Sequence, residues 1–417
     1  MARFSLTQVR ALPLLSKVQS PAIEQTKTAP RFHLGYRPAL DGMRALAIFG
    51  VMLVHTDPIQ LSGGAFGVDV FFVLSGFLIT SILLEEWDTT GAISLKRFYL
   101  RRVLRLYPAM VTLVFVFALL HLTALRTGYG EVVFAYRQHP DDAWRAMIAA
   151  LFYFANWAWG SGWVHLGPVE HTWSLSIEEQ FYVLWPTMLL LMLRFVRTRI
   201  LILAMIVVGI AISMHWRYQV YSASPSWVRP YAGLDTRADA LLIGCGLGVI
   251  ATANWLPTSR WAQRTFALLA IAAAVTLGWF VKHAAANDPS LYKGGFTIVA
   301  LSAAVIIGYL LVSPTGIGVR LLSITGLVRI GRISYGMYLW HYPIWRIVQQ
   351  QRLPTIKSVP LQFVLSVTVA TLSYILIEKR FLRLKSRFAV KLAPKVQPVE
   401  AAVPAGRRYS SAESVGP

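Results

Sequence analysis

Apolar residues fall along this chain in long, nearly unbroken runs separated by short polar stretches. Crossing a bilayer takes about 20 mainly apolar residues. Eleven stretches approach that length: 39–57, 66–84, 108–125, 143–159, 173–193, 200–215, 238–254, 265–281, 294–313, 334–349 and 361–379. The pattern predicts an all-α polytopic membrane protein. No cleavable signal peptide is expected ahead of the spans, because the first 37 residues are polar, carry six Lys/Arg and lack an apolar h-region.

Composition agrees with the pattern. Hydrophobic types make up 56% of the 417 residues and charged types 14%, against about 25% charged in an ordinary soluble domain. That excludes a cytosolic globule, a disordered chain and a disulfide scaffold. The single cysteine, Cys245, excludes an internal disulfide. In its run of small residues it reads as a helix-contact residue.

The charge then orients the spans. There are 40 Lys+Arg against 19 Asp+Glu, a formal net charge of +21. In a soluble chain this would suggest nucleic acid; in a membrane chain the question is on which side the charges lie. With the N-terminus inside and 143–159 not crossing, the inner segments are 1–37, 85–107, 194–199, 255–264, 314–332 and 379–417. They hold 28 of the 40 basic residues. If 143–159 crossed, every later loop would invert. The expectation is therefore about ten spans, both termini cytoplasmic, and 143–159 as a short re-entrant or interfacial helix rich in aromatics. By this division 1–37 is a cytoplasmic tail, 38–385 the transmembrane domain and 386–417 a disordered cytoplasmic tail.

Ionisable groups inside spans are costly, so each is a candidate for function. Arg44 and His55 share the first span and stand eleven residues apart, about 16 Å along one helical face. A neutral imidazole is a natural general base toward a hydroxyl, although a lone intramembrane histidine also serves as a packing residue. Asp69 lies in an apolar stretch whose Gly64, Gly67, Ser75 and Gly76 permit close helix approach; it suits orienting a His or Arg, or capping. Arg102 and Arg105 are i, i+3 neighbours on an amphipathic segment and suit phosphates, with anchoring on anionic lipid as the alternative. Glu178 and Glu179 enter an otherwise apolar helix, one expected to face the site and the other to cap or meet a cation. Arg237 and Asp239 read as a local ion pair at the mouth of the 238–254 span. Trp173 opens another span, and Tyr338 and His341, i, i+3 apart among Tyr335 and Trp340, are placed to line a polar cavity. Glu378 closes the last span and is expected to meet a basic neighbour. No metal-binding set, P-loop or nucleophile elbow occurs in the sequence.

Six of these motifs occur in one order. They are Leu40-Asp-Gly-Met-Arg44 with His55, Gly-Val-Asp-Val-Phe-Phe-Val-Leu-Ser-Gly, Arg102-x-x-Arg105, Trp-Ser-Leu-Ser-Ile-Glu-Glu-Gln-Phe-Tyr, Ser-Tyr-Gly-Met-Tyr-Leu-Trp-His, and the closing Ile-Glu-Lys. Over about residues 36–385 the chain resembles the membrane acyltransferase-3 family of bacterial acyltransferases, which includes O-antigen and macrolide O-acyltransferases. The resemblance implies a ten-span fold in the bacterial cytoplasmic membrane. It implies transfer of an acyl group, usually acetyl, from cytoplasmic acyl-CoA to a hydroxyl of a sugar, glycolipid, macrolide or other envelope molecule, with no metal and no nucleic-acid partner. It makes His55 catalytic and Arg44, Arg102 and Arg105 contacts for the CoA phosphates. On that reading Glu178 or Asp69 fixes the His55 tautomer, as a carboxylate does in a catalytic triad, and His55 acts as base or acyl relay. Some relatives carry a C-terminal periplasmic hydrolase-like domain; with 38 residues after its last span, this chain is expected to be a stand-alone form. The competing class is an envelope-intermediate transporter or flippase, disfavoured by the inside Arg-x-x-Arg and by the lack of repeat symmetry.

Overall fold

The computed structural model of the protein describes residues 32–56, 63–127, 141–196, 198–224 and 226–386. Most of the two expected tails lies outside the described residues. Among the described residues every regular element is helical. They are α1 (Pro38–Thr56), α2 (Gly67–Thr90), α3 (Leu95–Thr127), α4 (Asp142–Leu151), α5 (Ala155–Gly160), α6 (Thr172–Phe195), α7 (Arg199–Ala223) and α8 (Val228–Ala232). There follow α9 (Leu234–Thr252), α10 (Arg260–His283), α11 (Phe296–Val312), α12 (Ile317–Leu322), α13 (Thr325–Arg332), α14 (Ser334–Gln350), α15 (Thr355–Ser373) and α16 (Lys379–Ser386).

Seven of these helical stretches are long and apolar enough to cross a membrane: those built on α1, α2, α3, α7, α10, α11 and α15. Three further stretches expected as spans, 173–193, 238–254 and 334–349, fall short. They form α6, α9 and α14, of 24, 19 and 17 residues. Their deficit has a plain cause: they carry Glu178 and Glu179, Arg237 and Asp239, and Tyr338 and His341 in place of aliphatic side chains.

The 143–159 stretch is not one helix. α4 rises about 15 Å for its ten residues, half of the roughly 30 Å hydrocarbon core. It ends at Tyr153, whose φ of 53° breaks the helical path before α5 begins. α3 joins the basic amphipathic segment to the following span in one 33-residue helix that runs through Pro108.

The core forms around α2, whose backbone meets α9 directly. A Cβ on Gly76 would lie 1.9 Å from the Leu241 carbonyl oxygen, and one on Gly244 would lie 2.1 Å from that of Val73. Only glycine permits this approach. Cys245 is fully buried at the same contact, as its small-residue surroundings suggested.

Candidate active site

A cavity of about 300 Å³ opens between α1, α2, α3, α6 and α14. Its polar wall holds Arg44, Arg102, Arg105, Ser75, Glu178 and Tyr338. The first half of α1, the first half of α3 and the start of α14 contribute, together with α2 from Val68 to Ile82. Phe71, Phe72, Leu78 and Ile82 supply an apolar side along the middle of α2.

The three arginines differ in their partners. Arg44 donates to Asp41 one turn earlier at 3.0 Å. Arg102 lies over the Tyr182 ring at 4.6 Å and near Phe98 at 5.6 Å. Among the described residues neither Arg102 nor Arg105 has a carboxylate within salt-bridge distance, whereas their neighbour Arg101 approaches Glu86 at 3.9 Å. Guanidiniums left without a counter-ion in a semi-enclosed cavity attract an anion and bind its oxygens in pairs.

The carboxylates depart from the expectation that one of them would serve His55. Asp69 accepts from Arg237 Nη2 at 2.6 Å, both fully buried. Glu178 lines the cavity and accepts from the Ser75 hydroxyl at 2.9 Å, which in turn accepts from Tyr182 at 2.8 Å. Among the described residues neither contacts His55. The reason is position: Asp69 stands in the first turn of α2 facing α9, and Glu178 lies two turns into α6, level with Ser75. Glu179 is absent from the cavity wall. Arg237 and Asp239 are no local pair either. They sit inside α9; Arg237 reaches α2, and Asp239 accepts from Arg217 of α7 at 2.8 Å. Thr297 donates to Asp239 at 2.5 Å, and the Phe296 ring lies 3.7 Å beneath the Arg237 guanidinium. The charge that acts on Glu378 is that of Arg105 on α3, a basic neighbour in space.

His55 ends α1 in a group of rings. His341 lies 5.5 Å away between ring centroids, Tyr342 5.0 Å and Trp345 5.2 Å. Behind them His171 packs edge-on against His341 at 5.5 Å and stacks on Tyr342 at 5.3 Å. His171 lies just ahead of the 173–193 span, where a polar residue is ordinary and carries no signal of function. The repeated aromatics after Tyr338 were the available signal.

Tyr338 joins the two regions. Its hydroxyl is 2.5 Å from Ser174 Oγ and 3.0 Å from the His171 carbonyl oxygen, and both Tyr338 and Ser174 line the cavity. The cavity thus ends at a hydrogen-bonded pair whose far side is the histidine group. Of the residues expected to line the channel, Tyr338 does so and His341 stands one turn beyond. Trp173 instead packs on Tyr231 at 4.6 Å and Trp159 at 6.1 Å, in an aromatic cluster beside the site.

A family model for the acyltransferase domain of the acyltransferase-3 type matches residues 37–378. The chain belongs to this acyltransferase family. The family match takes in the three cavity arginines, Glu178, Tyr338 and all three clustered histidines. Among curated relatives, the peptidoglycan O-acetyltransferase OatA of Listeria monocytogenes serovar 1/2a is 34% identical over 373 residues. The O-acetyltransferase OatA of Staphylococcus aureus (strain NCTC 8325 / PS 47) is 34% identical over 359 residues. These matches cover 84% and 82% of this chain and 57% of each relative, so the chain spans little more than half the length of these acyltransferases. No solved structure matches the chain.

Proposed function

We propose that this protein is an integral-membrane O-acyltransferase that moves an acetyl group from cytoplasmic acetyl-CoA to a hydroxyl of a cell-envelope glycan. The observation that carries the reading is the shared cavity. Arg44, Arg102 and Arg105 line it together, two of them without a counter-ion, and Tyr338 of its far wall packs on His341, which packs on His55. Family membership and relatives named for peptidoglycan O-acetylation support the reaction class and a glycan acceptor.

In this reading the chain crosses a bacterial plasma membrane ten times, through the seven apolar helices and through α6, α9 and α14. Both termini are cytoplasmic, and the cavity opens inward, where CoA is available. The arginines hold the CoA phosphates. The thioester arm follows the apolar wall of α2 toward Tyr338 and Ser174, and the acceptor approaches His55 from the opposite face. His55 takes the hydroxyl proton as the oxygen attacks the thioester carbon. The carbon–sulfur bond breaks, and the sulfur leaves with that proton as free CoA thiol. Because thioesters are already activated, orientation and a placed base supply most of the acceleration.

The test is acetyl-CoA turnover by the full chain in lipid vesicles with peptidoglycan fragments outside. His55→Ala should lower turnover roughly a hundred- to ten-thousand-fold, the usual contribution of a general base, at unchanged yield of folded protein. Wild-type turnover by His55→Ala would remove the histidine from the mechanism.

A further inference from the structure

His341 Nδ1 lies 2.6 Å from the Tyr338 carbonyl oxygen, and His171 Nε2 lies 3.0 Å from that of Leu339. A carbonyl oxygen only accepts, so each of these ring nitrogens carries the proton. In a neutral imidazole the other nitrogen is then a bare lone pair. Those atoms, His341 Nε2 and His171 Nδ1, are both buried and have no hydrogen-bond partner. Leaving such acceptors unmet in a low-dielectric interior is costly, so a donor is called for.

The rings packed on His341 narrow the choice. His171 gives its N–H to Leu339, and Tyr338 gives its hydroxyl to the His171 carbonyl. Tyr342 stands farther off, its ring 6.3 Å from that of His341 at 77°. Among the described residues His55 has no hydrogen bond, and its ring is tilted 37° to that of His341 at 5.5 Å. Two imidazoles joined by an N–H···N bond of about 2.9 Å have centroids about 5 Å apart, so the His55 ring stands at a separation that suits the bond.

We propose that His341 is the positioning residue for His55: its Nε2 accepts the His55 N–H and so turns the remaining His55 lone pair toward the acceptor hydroxyl. This rests on His55 being the base, as proposed above. The neutral imidazole does here what a carboxylate does in a triad, and does so without placing a second charge in the membrane interior, where an unpaired one is expensive. When His55 takes up the hydroxyl proton, the same contact stabilises the imidazolium.

Two reciprocal variants separate this role from a structural one. His341→Asn keeps a donor for the Tyr338 carbonyl but removes the outer acceptor. His341→Gln gives up the Tyr338 bond and presents an amide oxygen near the Nε2 position. The expected result is a ten- to hundred-fold lower kcat for His341→Asn with unchanged KM for acetyl-CoA, the size typical of orienting partners, and substantial recovery in His341→Gln. A fully active His341→Asn, or the opposite ranking of the two, overturns the proposal. His55→Ala is run alongside: if it retains turnover, the parent reading fails; if it is dead while His341→Asn is active, only the present inference fails. Should neither variant accumulate, nitrogen-15 histidine NMR of the native chain in lipid decides. A hydrogen-bond coupling between His55 and His341 supports the assignment, and its absence overturns it.

Discussion

Arg102 and Arg105 on one side, Arg217 and Arg237 on the other, show one side chain put to two uses. Arg237 and Arg217 are fully buried, and each meets an aspartate of its own, Asp69 and Asp239. Such pairs are weak evidence for net stability, but breaking one leaves an uncompensated buried charge at a cost of about 3–5 kcal/mol. Asp69→Asn should therefore lower the thermal midpoint of the detergent-solubilised protein markedly, and adding Arg237→Gln should recover part of the loss; a light-scattering melt checks both. Arg102 and Arg105 have no such partners, so their removal costs binding and not the fold. Arg102→Ala with Arg105→Ala should raise the KM for acetyl-CoA at least about tenfold, as expected when a pair of charge-assisted contacts is lost, with the melt unchanged. An unchanged KM would remove them from the donor site. The cavity arginines were legible because type, spacing and segment charge are local properties. The partner of Asp69 was not: Arg237 lies 168 positions away in sequence, and no periodicity connects two helices that meet only in three dimensions. The same limit hides the neighbours of His55, which are the rings of His341, Tyr342 and Trp345 and not a carboxylate.

The helices separate into two kinds. α7 and α10 are apolar and expose most of their surface, whereas α2 and α9 are buried along nearly their whole length. Hydropathy alone reveals the first kind readily and understates the second, since a helix that carries site residues has traded aliphatic side chains for polar ones. That is why the runs at 173–193, 238–254 and 334–349 were visible as stretches but fall short as independent spans. The break within 143–159 was anticipated from charge balance and not from local pattern; Tyr153 at positive φ carries no sequence signature of the kind glycine gives. The α2–α9 contact yields a direct test. Gly244→Val places side-chain atoms where the Val73 carbonyl stands, so α2 and α9 must separate. The yield of monodisperse protein should collapse, whereas Gly278→Val, where a Cβ meets nothing within 4 Å, should leave it intact. Equal yields for the two would contradict the packing described.

At the scale of the whole molecule the excess of positive charge becomes a statement about orientation. Cys245 is the chain's one cysteine and is buried, so Cys245→Ala gives a background for single reporter cysteines. A cysteine at Thr90, the last residue of α2, should react with an impermeant maleimide only after the membrane is opened. One at Asp288, between α10 and α11, should react in intact cells. The reverse pattern would invert the proposed topology and detach the arginine cavity from cytoplasmic CoA. The division between apolar and polar helices also bears on how the chain is made. α6, α9 and α14 lack the hydropathy to settle in lipid singly, and in each case the polar groups they carry have partners that are synthesised earlier. Glu178 of α6 meets Ser75, and Arg237 and Asp239 of α9 meet Asp69 and Arg217. Tyr338 of α14 meets Ser174 and the His171 carbonyl. Read from the ribosome, every reluctant helix arrives after the helix that will shelter it. Chain order is itself an assembly instruction, and a circular permutant that moved α2 to the end would present α6 and α9 to a membrane before the Ser75 and Asp69 that receive Glu178 and Arg237.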